Sequence, residues 1–135
     1  MEFKILILSS LECKYEEKTF TELKELKEKH FSAKFTKLEN IGSLDLKLIF
    51  KSIYEGFDGI FIIAKYLEAD YMGYSYLSFQ KYIDEANRIL DKRGFGKERA
   101  FLCKWDCLNI ETLINDFRKL LEKINMSGKN PISLN

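Results

Sequence analysis

The residues with the most chemistry to offer are three cysteines, Cys13, Cys103 and Cys107. Thiolates could ligate a metal or take part in redox exchange. The last two form a C-x3-C pair straddling Trp105, which is neither a zinc-knuckle nor a thioredoxin spacing. Cys103 falls in an apolar run, where cysteine acts as a small buried hydrophobe, and a structural role is expected for it. The one histidine, His30, falls near the end of a helical stretch, where it favours the helix dipole and lies away from any cleft. A Ser/His/Asp or Cys/His arrangement therefore has no base. Glu12, Glu16, Glu17, Glu68 and Asp70 could bind a hard cation or do acid/base work, but with Lys65 beside them they read as a solvated loop face. Ser9 and Ser10 open the segment SSLECKYEEKT, which has no glycine. Neither a P-loop nor a dinucleotide fingerprint fits there, because phosphate needs close backbone approach and positive potential. The segment YLEADYMGYSY (66–76) carries Tyr66, Tyr71, Met72, Tyr74 and Tyr76. Tyrosine and methionine suit partly wet protein contacts, so this loop is expected to meet a partner.

Placing these residues requires the elements. FKILILS (3–9) is a continuous apolar run, the pattern of a strand buried on both faces. Residues 17–30 form an amphipathic helix with Phe20, Leu23 and Leu26 on one stripe. AKFTKL (33–38) alternates as a second strand. Ser43 is expected to cap a helix whose stripe is Leu46, Ile49, Phe50 and Ile53, ended by Gly56. DGIFIIA (58–64) is the most apolar strand, and residues 65–76 are a loop. A long helix follows from about Leu77 to Arg93 with Phe79, Tyr82, Ile83, Ala86, Ile89 and Leu90 inward, stopped by Gly94. ERAFLCKW (98–105) is the fourth strand. Asn109 caps a last helix with the stripe Ile110, Leu113, Ile114, Phe117, Leu120, Leu121 and Ile124. This alternation predicts a single three-layer α/β domain over 1–125, with a four-stranded parallel sheet in the order 2-1-3-4 and a flavodoxin-like arrangement. Residues 126–135 read as a polar C-terminal tail. Sites in such a sheet form at the carboxyl ends of the strands, where the order reverses. Ser9 to Tyr15, Asn40 to Ser43 and 64–76 converge there, and the end of the fourth strand, Cys103 to Leu108, is expected on the same edge.

Composition bounds the function. The 135 residues are 46% hydrophobic and 32% charged, enough to build a core and too apolar for a disordered chain. The net charge of +1 supplies no global field for nucleic acid or anionic lipid, so neither is expected as a partner. Three cysteines do not make a disulfide scaffold. The longest apolar run, Ile60 to Ala64, is far short of the ~20 residues that span a bilayer. The start, MEFKILILSS, is too short in its apolar part for a signal peptide. A cytoplasmic protein is expected.

The text from Asn40 onward resembles a known family. Its members read roughly C-S-G-R-V-D, an apolar helix, then G-A-D-G-V-L-V-x-G-C-H-x-G-D-C-H-Y. A long helix, a strand ending in Glu-Trp and a C-terminal helix follow. Here the matching text is NIGSLD (40–45), EGFDGIFIIAKYLEADYMGY (55–74), DKRGFGKERA (91–100) and FLCKW (101–105). The family's N-terminal F-C-C-N-W-C-S-Y is similar to LSSLECKY (8–15). The resemblance is to the delta subunit of methyl-viologen-reducing hydrogenase, MvhD, the small iron–sulfur subunit linking hydrogenases to heterodisulfide reductase. It implies a place in an oxidoreductase complex with protein partners. Of the family's cluster cysteines, Cys13 alone is in register. Ser9 and Ser10 stand at the other N-terminal cysteines, Asn40 at the next, and Lys65 and Asp70 at the two of the central loop. Tyr66 and Tyr71 replace the histidines that follow. A [2Fe–2S] cluster typically takes four cysteines, so no cofactor is expected.

The leading reading is a cluster-less relative of that subunit, docking or scaffolding within a cytoplasmic redox complex without catalysing a reaction on its own. One alternative is an electron-transfer protein that still binds a cluster or metal through Cys13, Cys103, Cys107 and Asp70. Another is a standalone small-molecule-binding or regulatory domain whose pocket is lined by Ser9, Ser10, Asn40, Lys65 and Asp70.

Overall fold

A computed structural model of the chain describes residues 2–10, 21, 23, 31–38, 45–65, 76–105 and 109–134, with backbone alone at 10, 65, 76–79, 133 and 134. Four strands, β1 (Phe3–Ser10), β2 (Phe31–Leu38), β3 (Gly59–Lys65) and β4 (Ala100–Trp105), form one parallel sheet in the order β2-β1-β3-β4. Among the described residues three α-helices cover it: α1 (Leu46–Tyr54), α2 (Tyr76–Lys92) and α3 (Ile110–Ser127).

The continuous apolar runs are explained by the pleat, which sends successive side chains to opposite faces of a sheet covered on both. Leu6, Leu8, Ile60, Ile62, Ala64, Ala100 and Leu102 face Ile49 and Ile53 of α1 and Ile83, Ala86 and Leu90 of α2. Their neighbours Ile5, Ile7, Phe61, Ile63, Cys103 and Trp105 face Leu113, Phe117, Leu120, Leu121 and Ile124 of α3. Leu23, on the expected stripe of the segment 17–30, is buried in this second layer. It and Thr21 have helical backbone, and the rest of that segment lies outside the described residues.

Boundaries differ locally from the sequence reading. The cap of α1 is Asp45, not Ser43: its carboxylate accepts the Leu48 amide at 2.8 Å, two residues closer to the first apolar turn. β2 starts at Phe31 because Phe3 already pairs with it in register. Where a tail is expected over 126–135, α3 continues to Ser127, and the following residues are hydrogen-bonded to the amino end of the sheet.

That amino end is closed by polar side chains. Asp58 and Asn130 are fully buried and Arg99 nearly so. The Asp58 carboxylate accepts the amides of Lys4 (2.7 Å) and Asn130 (2.6 Å) and the Lys129 ammonium (3.1 Å). Arg99 donates to the carbonyls of Phe95, Asp58, Gly128 and Lys129. Burial lowers the Arg99 pKa from its ordinary value and the Asp58 charge opposes that shift. The next residue, Gly59, has no side chain because the Ile124 side chain occupies the place of its Cβ. The Asp-Gly pair thus has a structural reason: the carboxylate ties three segments together, and the glycine lets α3 close on β3.

Candidate functional site

At the opposite end of the sheet, β1 connects outward to β2, and β3 lies on its other side. This is where a parallel sheet opens a crevice at its carboxyl edge. Ser9 pairs in register with Lys37 of β2 and Ile63 of β3. Lys65, two residues past Ile63, ends β3 opposite Trp105. Ser9, Ser10 and Lys65 are therefore brought to one edge of adjacent strands, as the topology requires. Ser9 is buried at 2% exposure.

The helices that start at this edge are tied down. Trp105, buried at the end of β4, donates its indole N–H to the Asn109 carbonyl at 2.7 Å. The Thr112 hydroxyl donates to the same oxygen at 2.8 Å, and the Asn109 side chain accepts the Glu111 amide at 3.0 Å. Asn109 is thus the cap expected of it, and Trp105 locks β4 to the first turn of α3. On the other side of the crevice, the Leu46 amide donates to the Tyr82 hydroxyl at 2.7 Å, joining the start of α1 to α2. A frame held this way can present loops in a fixed geometry, as docking requires.

Cys103 sits in the same row of the sheet as Ser9, through Ile63, but its side chain is enclosed. It lies in the α3-facing layer with Phe117 and Leu121, 1% exposed. Burial, reinforced by the charge and hydrogen bond of Asp116, pushes its thiol pKa far up. Its place among apolar side chains is that of a small buried hydrophobe. By residue type alone, Ser9, Ser10 and Lys65 at these strand ends bring two hydroxyls and an amine. They do not fit the four thiolates of a [2Fe–2S] cluster. Among the described residues no group of three or more His, Cys, Asp or Glu side chains could hold a metal ion.

Cys13, Asn40, Asp70, Tyr66, Tyr71, Met72 and Tyr74 lie outside the described residues, as do His30, Cys107, Glu68 and the glutamates of 12–17. Tyr76 begins α2, with its backbone alone described. Sequence reasoning missed Asp58, Asn87, Arg99 and Asn130, whose side chains organise the amino end and one edge of the sheet. The available signal was a polar residue beside or within an apolar pattern at each position. Among the described residues, no helix is long and apolar enough to cross a membrane.

Compared with known families, residues 5–128 match the model described as methyl-viologen-reducing hydrogenase, delta subunit. The match runs from within β1 to just past α3. No curated protein matches the chain.

Proposed function

The chain belongs to the methyl-viologen-reducing hydrogenase delta-subunit family, and on that premise we propose that it is a cluster-less docking or scaffold subunit of a cytoplasmic redox complex of the hydrogenase or heterodisulfide-reductase type. The observation that carries the reading is the set of residues at the family's cysteine positions. Ser9, Ser10, Asn40, Lys65 and Asp70 stand where the family motif has cysteines, and Cys13 is the one thiol in register. A lysine where a thiolate belongs opposes ligation, because the cluster needs anionic donors. The enclosure of Cys103 among the apolar side chains that face α3 supports the same reading, because an alternative ligand set would need that thiol at the open edge.

What persists is the frame. The Trp105–Asn109 and Leu46–Tyr82 ties hold the edge at which β3 ends and residues 66–75 follow in the sequence. That segment carries Tyr66, Tyr71, Met72 and Tyr74, with Tyr76 directly after it, a composition suited to protein contact. Electron transfer through this subunit then has no carrier, and its contribution to the complex is binding and positioning. The test is anaerobic purification followed by a visible spectrum and assays of iron and acid-labile sulfide. The expected result is neither iron nor sulfide in stoichiometric amount. A charge-transfer spectrum with two irons per chain would overturn the proposal.

A further inference from the structure

The outer edge of β4 lies apart from the carboxyl edge of the sheet. β4 is an end strand of the sheet, and the side chain of Asn87 from α2 occupies the start of its free edge. Asn87 Nδ2 donates to the Ala100 carbonyl at 2.8 Å, and Oδ1 accepts the amides of Ala100 (2.9 Å) and Arg99 (3.1 Å). One side-chain amide thus pairs with both backbone groups of Ala100, as the peptide of a neighbouring strand would. In a parallel ladder the outward-facing residues alternate, so the next outward residue is Leu102. Among the described residues no hydrogen bond is made to its outward N–H and C=O. These groups open on a slot of about 230 Å³ lined by Gln80, Asp84 and Asn87 on one side and Glu98 and Lys123 on the other.

We infer that this slot receives an extended, lysine- or arginine-bearing segment of a partner protein, added to β4 as a short fifth strand. Unpaired strand-edge groups recruit such segments through main-chain hydrogen bonds, and the flanking side chains give specificity. The charge of the slot selects a basic one. Lys123 is committed to Glu98 at 3.3 Å and to the face of Phe101. The Asp84 carboxylate accepts from the neutral Gln80 amide at 2.9 Å, and no cation among the described residues pairs with it. A second copy of this chain fits poorly. A two-fold pairing about Leu102 would set Asp84 against its own copy, and would need the Ala100 groups that Asn87 already holds.

The test uses the full chain, isotopically labelled for NMR, with three octapeptide probes. One alternates valine or threonine with lysine, the second has glutamate for lysine, and the third is the lysine peptide N-methylated at alternate amides. The expected result is shift changes centred on Phe101, Leu102 and Cys103, with amide exchange at Leu102 slowed at least ~10-fold at saturation. The glutamate peptide should bind at least ~5-fold more weakly and the N-methylated one not detectably, while Asp84→Asn should abolish the preference for lysine over glutamate. Shift changes away from β4, or equal binding of lysine and glutamate peptides, would overturn the inference. So would protection of Leu102 that grows with protein concentration without peptide, which would make a second copy the occupant. None of these outcomes depends on the iron and sulfide assay.

Discussion

Replacing Asn130 with alanine tests the closure of the amino end directly. The side chain is fully buried. Its Nδ2 donates to the carbonyls of Ile53 at 2.6 Å and Phe57 at 2.7 Å, and its Oδ1 accepts the Ile132 amide at 3.0 Å. The Ile53 carbonyl also accepts the Gly56 amide, so its loss is partial. The Phe57 carbonyl and the Ile132 amide are left without these partners. An orphaned buried group costs about 1–3 kcal/mol, and the partial loss at Ile53 adds less than one ordinary bond. The expected destabilisation of Asn130→Ala is therefore about 3 kcal/mol, equivalent to a fall in Tm of roughly 10 °C for a domain of this size. Urea unfolding followed by circular dichroism, with a thermal melt alongside, measures both. The urea slope should stay constant, because the surface exposed on unfolding is nearly the same. A loss under about 1 kcal/mol would refute the reasoning, since it would mean that residues 128–132 are not held against the sheet by this side chain.

Other outcomes follow from the same geometry. Asp45→Ala should cost about 1 kcal/mol in urea unfolding, the usual worth of a helix cap, and an unchanged midpoint would place the cap elsewhere. Cys103 should resist alkylation in the native protein and react fully in denaturant; rapid native labelling at Cys103, read by peptide mass spectrometry, would contradict its burial. Because its thiol pKa is raised in the folded state, the protonated thiol stabilises the fold fully below the unfolded-state value near 9.0. That contribution declines as pH rises above it, by up to ~1.4 kcal/mol per pH unit. The stability difference between wild type and Cys103→Ala should accordingly shrink from pH 9 upward, and a constant difference would refute the assignment. Changing Tyr71 and Tyr74 together to alanine should weaken assembly with the natural partner at least ~10-fold, about 1.4 kcal/mol. Unchanged binding in a titration would remove residues 66–75 from the interface, and a collapsed melt would make these tyrosines core.

The layering of the sheet was legible because burial and periodicity are local signals. FKILILS and DGIFIIA can satisfy their apolar side chains only between two covered faces, and the stripes of α1 and α3 declare which side turns inward. Parallel topology and the order 2-1-3-4 followed from strand–helix alternation and the handedness of crossovers. Family membership was legible from the Asp-Gly pair, the spacing of elements and Trp105, and the absent cysteines could be counted from the text alone. What the text could not reveal were the partners of single polar residues. Asp58, Arg99 and Asn130 are each an ordinary surface type by composition, and 72 residues separate Asp58 from Asn130. Only folding brings them together, where exclusion of water makes every unmet hydrogen bond costly and so selects this one arrangement. The same holds for Asn87. In a helical pattern it is one more polar position, and only beside the free edge of β4 does its amide become the first rung of a strand.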